Sequence, residues 1–286
     1  MRLLVFGHSG QVATELRALA GPDLEIIALG RAAADLDDPE ACAAAVAGTA
    51  AEAVINAAAF TAVDRAETEE EAATRINAAA PAAMARAAAA QGTPFLHIST
   101  DYVFSGAEGP PWREEDPPGP LSAYGRSKLA GERAVMAANP QAVILRTAWV
   151  FSAHGGNFVR TMLRLGAERD HLRVVDDQIG GPTPAAAIAA ALVAIARARV
   201  AGAGAPGLFH FIGSPAVSWC GFAHEIMARA GLSTPVEAIS TAEFPTPARR
   251  PANAVLDCSR IAAVYGLAQP DWRDGLDAVL AALKPA

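Results

Sequence analysis

Short apolar runs alternate with longer stretches, in which apolar residues recur every three or four positions, along the first half of the chain. The short runs are typical of strands buried on both faces of a parallel sheet. The longer stretches are typical of amphipathic helices. The predicted strands are Arg2–Phe6, Leu24–Leu29, Ala53–Ala58, Pro94–Ser99 and Ala142–Val150. The predicted helices are Gln11–Ala20, Pro39–Ala47, Thr68–Gln91 and Ala123–Ala138. This alternation predicts an α/β fold with a doubly wound parallel sheet of the Rossmann type.

The pattern loosens after Phe151. Helices are expected in "NFVRTMLRL", in Ala185–Arg199, which could pack back on the sheet, and in "SWCGFAHEIMARAGL" and "PDWRDGLDAVLAAL". We predict a dinucleotide-binding domain over residues 1–152, with residues 173–200 packing back on it. Residues 153–286 are predicted to form mainly a smaller, interleaved lobe that covers the open ends of the strands, where ligands of such sheets bind.

Composition narrows the classes of function. The chain has 286 residues, 52% of them hydrophobic, and a net charge of −7, which argues against general nucleic-acid binding. No uncharged apolar run reaches about 18 residues, and we expect no membrane span, no secretory signal and a cytoplasmic location. Three distant cysteines and the absence of a paired-histidine motif give no support for a metal site.

A glycine motif follows the first predicted strand. "VFGHSGQVATEL" places Gly7, Gly10 and Ala13 between that strand and the first helix. Glycines allow a tight turn and let backbone N–H groups approach a diphosphate at the positive end of the helix. A motif of this kind is weak alone, but its position between strand and helix favours dinucleotide binding over a plain turn.

The end of the second strand bears on which dinucleotide binds. An acidic residue there would accept a hydrogen bond from the ribose 2′-hydroxyl of NAD, whereas this chain has Gly30 and Arg31 in "LGRAAAD". An arginine suits a 2′-phosphate, so we expect NADPH to be preferred, with NADH also accepted. Asp35 is near enough to leave the assignment open, and Arg31 could instead be a solvated side chain.

A tyrosine and a lysine stand four residues apart in "LSAYGRSKLAGE". The chain has three tyrosines and two lysines, and Tyr124 and Lys128 form a Y-x-x-x-K motif on one face of a predicted helix that Ser122 could cap. A nearby ammonium stabilises a phenolate, so Lys128 is expected to lower the pKa of Tyr124. The alternative is that Tyr124 and Lys128 are simply two solvent-exposed side chains on the same helix.

Thr100 lies at the end of the fourth strand, in "HISTDYVFSG". There it could donate a hydrogen bond to the carbonyl oxygen that Tyr124 protonates, while hydride arrives from a nicotinamide. By itself Thr100 would more often be an ordinary strand residue; beside the glycine loop and the Tyr–Lys pair, the catalytic interpretation is favoured.

These motifs together resemble the extended short-chain dehydrogenase/reductase family, and within it the branch of dTDP-4-dehydrorhamnose reductases. Besides the motifs above, the resemblance rests on "NAAAFTAVDRAE", "LRTAWVF", "DDQIGGPT" and "PTPARRP", in the same order and spacing. It implies an NAD(P)H-dependent oxidoreductase of dTDP-L-rhamnose biosynthesis, which serves cell-envelope polysaccharides. Its substrate would be a dTDP-linked 4-keto-6-deoxy sugar. The oligomeric state stays open, with a homodimer as one option.

The resemblance also implies roles for individual residues. Catalysis would fall to Thr100, Tyr124 and Lys128. The expected cofactor contacts are Gly7, Gly10, Gln11, Val12, Arg31, Asp35, Leu36, Ala59, Phe60, Thr61, Tyr124 and Lys128. The expected substrate contacts are Thr100, Asp101, Trp149, Asn157 and Arg250, with Arg249 a weaker candidate.

The chain departs from the family pattern at three places. Phe60 stands where a histidine is usual, and Gly30 stands where many members carry an acidic residue. Some members share a metal between subunits through acidic residues. Glu15 could match one of them, but "TPAAAIAA" offers no partner, so we expect no metal.

The sequence leaves two other functions on the same scaffold open. Nucleotide-sugar dehydratases carry T-D-E, and the third position here is Tyr102, which breaks their acid–base pair and favours carbonyl reduction; an epimerase is the related possibility. A non-catalytic regulatory subunit resembling the β subunit of methionine adenosyltransferase could keep the dinucleotide scaffold without turnover.

Overall fold

The computed structural model describes residues 1–284. Its strands are β1 (Arg2–Phe6), β2 (Glu25–Leu29), β3 (Ala53–Asn56), β4 (Phe95–Thr100), β5 (Val143–Thr147), β6 (Val150–Phe151), β7 (Leu172–Val175), β8 (Ile179–Gly180), β9 (Thr183–Pro184), β10 (Gly207–His210), β11 (Val217–Ser218), β12 (Val236–Ile239) and β13 (Asn253–Ala254). Its helices are α1 (Gln11–Ala18), α2 (Pro39–Ala47), α3 (Val63–Ala66), α4 (Glu70–Thr74), α5 (Ala80–Ala90), α6 (Ala123–Ala138), α7 (Phe158–Glu168), α8 (Ala185–Val200), α9 (Trp219–Ala230), α10 (Ser259–Tyr265) and α11 (Trp272–Leu283).

Six parallel strands form the central sheet, in the order β10-β5-β4-β3-β1-β2. The chain reverses direction across the sheet between β1 and β3, and ligands of such sheets bind at the carboxyl ends on either side of that point. The loops after these strands carry the glycine motif and the segment Ala57–Thr61. The predicted doubly wound parallel sheet is confirmed.

The alternation of side chains along β1 shows how both faces of the sheet are covered. Leu3 and Val5 face a core that includes Leu192 of α8, and Leu4 and Phe6 face a second core built on α2 and α5. Successive residues of a strand point to opposite faces, so a strand apolar at every position needs helices on both sides.

The second half of the chain builds a smaller lobe with its own core. Two short sheets, β11-β8-β13 and β12-β7, accompany α7, α9 and α11, whose apolar faces meet around Phe222 and Trp272. Helix α8 packs against α1, and β7 pairs with β12 in the lobe. Strand β10 also leaves the lobe, because it pairs with β5 as an edge of the central sheet.

Two predicted elements are interrupted. The expected helix Thr68–Gln91 is α4 and α5 joined by a π-helical turn, Arg75–Ala79. The expected strand Ala142–Val150 is β5 and β6, separated at Trp149, whose φ of 48° cannot continue a strand. Helices in the described part of the chain are too short or too polar to cross a bilayer.

Candidate active site

The three residues predicted as catalytic come from strand β4 and helix α6. Thr100 ends β4, and Tyr124 and Lys128 lie about one turn apart on α6. Ser122 caps this helix: its hydroxyl accepts a hydrogen bond from the backbone N–H of Gly125 at 3.2 Å. The Thr100 hydroxyl lies near enough to Tyr124 to lower the pKa of its phenol. The structure therefore brings these side chains together at the carboxyl edge of the sheet.

Two glycines let helix α6 approach its neighbours closely. A Cβ atom on Gly125 would lie 2.3 Å from the carbonyl oxygen of Tyr102, and one on Gly131 would lie 2.1 Å from that of Asn77. Both obstacles are backbone atoms, so a side chain at either position would push the helix outward. Gly125 thus lets α6 lie close to the turn that follows β4, and Gly131 lets it lie close to the π-helical turn at Arg75–Ala79.

Lys128 is buried, and only 2% of it is exposed. Its ammonium donates a hydrogen bond to the carbonyl oxygen of Ile98 at 2.7 Å, and its Nζ lies 3.4 Å from Nε2 of His97. Burial lowers the pKa of Lys128 to about 8, against the opposing effect of the nearby Glu132 carboxylate. The lysine therefore changes its charge close to neutral pH.

The protonation of Tyr124 differs from our expectation. Burial and the negative charge of Asp101 raise the pKa of Tyr124 above its ordinary value, while the nearby Thr100 hydroxyl acts in the opposite direction. We expected Lys128 to lower this pKa, but its ammonium is directed at the Ile98 carbonyl instead. A phenol that keeps its proton can serve as a proton donor at neutral pH.

Asp101 is a buried carboxyl with one oxygen left without a partner. Its Oδ1 accepts a hydrogen bond from the Thr100 hydroxyl at 2.9 Å, and its Oδ2 has no hydrogen-bond partner among the described residues. Burial raises the pKa of Asp101 to about 7, although the Thr100 hydroxyl and two backbone N–H groups lower it. The Thr100 hydroxyl has one proton, so while it donates to Asp101 it cannot donate to a substrate.

The raised pKa of Asp101 makes stability depend on pH. An unfolded aspartate is ionised above about pH 4, whereas the folded one ionises near 7, so the native state loses stability as pH rises between these values. We expect Asp101→Asn to raise the free energy of unfolding by about 2–4 kcal/mol at pH 8 and very little at pH 4. Urea unfolding at both pH values measures this.

An aspartate with the opposite shift provides the control. Hydrogen bonds from Thr241 lower the pKa of the exposed Asp177, so Asp177→Asn should cost a little stability at pH 8 rather than add any. An Asp101→Asn variant that is no more stable than the parent protein at pH 8 would contradict the unfavourable burial of the Asp101 carboxylate described above.

The glycine loop after β1 has the geometry that a diphosphate needs. Gly7 has a φ of 118°, and Gly10 precedes helix α1 with no atom within 4 Å of where its Cβ would stand. No side chain caps α1, so the N–H groups of its first turn are free of side-chain partners. Val12 is buried in the core and can meet a ligand only through its backbone.

Gln11, the first residue of α1, links the loop to the second lobe. Its side-chain oxygen accepts hydrogen bonds from Ser152 and Asn157, each at 3.0 Å, and its amide donates to the carbonyl oxygen of Val150 at 3.3 Å. Asn157, a predicted substrate contact, also caps helix α7 and donates to Ser152 O. Its side chain is therefore occupied in joining the two parts of the molecule.

The residues expected at the adenine end differ in exposure. Arg31 is exposed, and its side chain makes no hydrogen bond within residues 1–284, which leaves it free to meet an anion. Asp35 uses Oδ1 to accept a hydrogen bond from the backbone N–H of Asp37 at 3.0 Å. Leu36 packs in the core, so only its backbone is available there.

Ala59, Phe60 and Thr61 follow β3 and are held by a residue that the sequence did not single out. Asn77, in the π-helical turn, accepts from Phe60 N at 2.8 Å and donates to Phe60 O at 3.1 Å. It also donates to the hydroxyl of Ser127 on α6 at 2.9 Å. Asn77 therefore ties the expected cofactor path to the catalytic helix; no feature of the surrounding sequence marked it.

Trp149 stacks on another tryptophan. Its ring lies 3.5 Å from the ring of Trp219, centroid to centroid, and a Cβ atom on Gly180 would collide with it. The positive φ of Trp149 places the ring at this junction between the sheet and the lobe. A sugar could stack only on the part of the ring that these two residues leave uncovered.

Arg250 reaches from the second lobe to the catalytic edge of the sheet. It donates hydrogen bonds to both carboxylate oxygens of Asp64, at 3.1 and 2.9 Å, and to the hydroxyl of Tyr102 at 3.3 Å. The ring of Tyr102 in turn meets Tyr124 edge to face, with centroids 5.5 Å apart. Arg249, by contrast, is exposed. An anionic substrate group would have to share Arg250 with Asp64.

A buried ion pair joins helix α6 to strand β5 of the central sheet. The guanidinium of Arg146, on β5, donates to both carboxylate oxygens of Glu132 at 2.8 and 2.7 Å, and each side chain is only 3% exposed. Arg146 also lies 3.3 Å from Nε2 of His210. Glu132 is one turn beyond Lys128, so this pair fixes the catalytic part of the helix to the sheet.

Within residues 1–284, no three histidine, cysteine, aspartate or glutamate side chains cluster as metal ligands would. Glu15, the acidic residue that could match a shared metal site, has His154 as a neighbour at 3.6 Å.

Comparison with known proteins gives matches along almost the whole chain. The family model described as the RmlD substrate binding domain matches residues 1–284. A dTDP-4-dehydrorhamnose reductase of Sinorhizobium fredii is 46% identical over 280 residues, which are 96% of this chain and 95% of that protein.

Solved structures agree with the fold. The crystal structure of a dTDP-4-dehydrorhamnose reductase from Clostridium acetobutylicum superposes with a TM-score of 0.92 at 36% identity and covers 99% of both chains. That of a dTDP-4-dehydrorhamnose reductase from Bacillus anthracis, in complex with NADP, gives a TM-score of 0.92 at 32% identity over 98% of this chain and 99% of the other.

Proposed function

This chain belongs to the RmlD substrate binding domain family, and we propose that it is the reductase that converts dTDP-4-dehydro-6-deoxy-L-mannose to dTDP-L-rhamnose. The hydride comes from NAD(P)H and the proton from Tyr124. The enzyme thus acts in the synthesis of a nucleotide sugar for cell-envelope polysaccharides.

One observation supports this proposal most strongly. Thr100, Tyr124 and Lys128 lie together at the carboxyl edge of the parallel sheet, where the glycine loop of β1 also ends. Carbonyl reduction needs a proton donor beside a hydride donor, and this edge offers a protonated phenol next to a place built for a dinucleotide.

The residues of this edge fit a nicotinamide dinucleotide. The uncapped first turn of α1 and the open space at Gly10 suit a diphosphate, and the unpaired Arg31 suits a 2′-phosphate. When bound, the cofactor supplies the hydride. We expect NADPH to be preferred and NADH also accepted, in keeping with the relative that binds NADP.

Tyr124 and Lys128 have different roles in proton transfer. Tyr124 holds the proton that the new alkoxide oxygen receives, since burial keeps the phenol protonated. Lys128 lies one turn further along the same helix, and its ammonium, which donates to the Ile98 carbonyl, would have to turn toward Tyr124 to offset the phenolate left behind. Its pKa of about 8 means that this charge is present at neutral pH and is lost above it.

Asp101 controls what the Thr100 hydroxyl can do. In its charged form Asp101 accepts the only Thr100 proton, at 2.9 Å. In its protonated form the carboxyl can itself donate to Thr100 Oγ1, which frees the Thr100 proton for the substrate oxygen. A pKa near 7 makes both forms accessible at neutral pH.

The other proposed contacts concern the substrate. Asp101 and Trp149 would meet the sugar, and Arg250 would meet its diphosphate after exchanging its pairing with Asp64. Asn157 would act mainly by holding Gln11 and the start of the second lobe. We also propose a cytoplasmic location, with the lobe formed mainly by residues after 152 carrying the substrate side.

The competing functions are less well supported. Tyr102 stands where a dehydratase needs glutamate, and its hydroxyl is bound to Arg250 rather than free for acid–base work. A non-catalytic subunit has no need for a buried lysine beside a protonated tyrosine, and both are present in this chain.

An activity assay tests the proposal. The purified protein should consume NADPH when given dTDP-4-dehydro-6-deoxy-L-mannose and release dTDP-L-rhamnose, with a lower KM for NADPH than for NADH. Water loss from dTDP-glucose would point to a dehydratase. Cofactor binding without turnover of any nucleotide-linked 4-keto sugar would point to a regulatory subunit.

A further inference from the structure

A histidine that we assigned no role lies directly behind the catalytic lysine. His97, in the middle of β4, has no exposed surface and stands between Asn56 at the end of β3 and Lys128 on α6. The Asn56 amide nitrogen is 3.1 Å from Nδ1 of His97, and Lys128 Nζ is 3.4 Å from Nε2. The three side chains form a continuous line from the sheet to the helix.

The hydrogen bonds of Asn56 decide which nitrogen of His97 carries the proton. The backbone N–H of Ala58 donates to the side-chain oxygen of Asn56 at 3.1 Å, and only an oxygen can accept there. The amide nitrogen of Asn56 must then face His97 as a donor, so Nδ1 has to be the acceptor. A neutral imidazole with a bare Nδ1 carries its proton on Nε2, the nitrogen that faces Lys128.

His97 is also held neutral. Burial, and to a lesser degree the charge of Lys128, lower the pKa of His97 well below its ordinary value. Two donors therefore face each other across 3.4 Å, the Nε2–H of His97 and the ammonium of Lys128. The Lys128 ammonium donates one of its protons to the carbonyl oxygen of Ile98 instead. An uncharged Lys128 would accept the Nε2–H, so this tautomer favours the uncharged form.

The remaining charged and titratable groups around Lys128 act differently. On the same helix, Glu132 favours the charged lysine, but its carboxylate is bound on both oxygens by Arg146 of β5. Tyr124 lies one turn earlier on α6 and keeps its proton. Among these neighbours, only the Nε2–H of His97 is a neutral donor aimed at Nζ.

We propose that Asn56 and His97 are positioning residues of the active site. They form a relay of hydrogen bonds that presents the Nε2–H of a neutral imidazole to Lys128 and so sets the pH at which this lysine loses its charge. The importance of that charge for turnover rests on the proposed function; the relay itself does not.

The tautomer can be read directly by nitrogen NMR of the histidine-labelled protein. His97 should show a protonated Nε2 and an unprotonated Nδ1, with no titration between pH 5 and 8. His210 is a built-in control with the opposite tautomer, because its Nδ1 lies 3.1 Å from a carbonyl oxygen, that of Trp112, and must carry the proton. A proton on Nδ1 of His97, or a ring that titrates in this range, overturns the proposal.

The effect on Lys128 can be followed without substrate, because the chain has only one other lysine, Lys284. In protein labelled at the lysine side chains, the Lys128 signal should titrate near pH 8. Asn56→Asp keeps the acceptor for Ala58 but forces the His97 proton onto Nδ1, so the Lys128 midpoint should rise by about one pH unit or more.

A second variant separates the tautomer from the added charge. Asn56→Ala removes the donor to Nδ1 and adds no charge, and the Lys128 midpoint should rise in the same direction by a smaller amount. The Lys284 signal should behave alike in all three proteins. A Lys128 midpoint that stays in place in both variants overturns the relay, and neither variant's result depends on whether the enzyme reduces the proposed sugar.

Discussion

Replacing Tyr124 with phenylalanine lowers kcat by a factor of about 10²–10⁴, while the affinity for NADPH changes little. The ring remains to pack edge to face against Tyr102, so the site keeps its shape, but the proton that the product oxygen needs is gone. Steady-state kinetics with the 4-keto sugar measure the first effect, and cofactor titration measures the second.

Tyr102→Phe is the matched control for this result. It also removes one hydroxyl from the same ring pair, but that hydroxyl is bound to Arg250 and donates no proton in the proposed reaction. We expect it to raise KM more than it lowers kcat. Equal losses of kcat in both variants would mean that Tyr124 acts through packing, and the proposed chemistry would be wrong.

Replacing Glu132 with leucine lowers the free energy of unfolding by about 3–5 kcal/mol, because it leaves the Arg146 guanidinium buried without its counter-charge. Urea denaturation at neutral pH measures the loss. The double variant Glu132→Leu/Arg146→Met should recover most of it, since an apolar pair leaves no buried charge.

The same helix offers an exposed pair for comparison. Arg126 binds both carboxylate oxygens of Glu70 at 2.7 Å, but both side chains are nearly half exposed. Because solvent screens such a pair, Glu70→Leu should change the free energy of unfolding by about 1 kcal/mol or less. If Glu132→Leu loses no more stability than Glu70→Leu, leaving the buried Arg146 without its counter-charge is not as destabilising as proposed.

The sequence predicted well those features that depend on local pattern. The bounds of β1, α2 and α6 agree with the structure to the residue, because uninterrupted apolar runs, a proline at a helix start and a serine cap are local signals. The proximity of Tyr124 and Lys128 follows equally simply from a spacing of four residues on a helix.

Features that depend on distant contacts could not be predicted in this way. No local sequence signal around residues 75–79 predicts a π-helical turn. The reason for the turn is visible only in the structure, where Asn77 forms hydrogen bonds with Phe60 and with Ser127 of helix α6. The direction of the Lys128 ammonium was missed for the same reason, because Ile98 and His97 approach it from another strand.

The placement of β10 has a consequence for how the protein can be made. This strand is encoded about 60 residues after β5, its partner, so the nascent chain holds five strands of the central sheet before the sixth emerges from the ribosome. Until then the backbone groups along the outer side of β5 have no strand to bind, which is the arrangement that invites wrong pairing between chains. A truncated gene product that stopped before residue 207 would keep this edge permanently bare, and would be expected to aggregate rather than to fold as a free-standing nucleotide-binding unit.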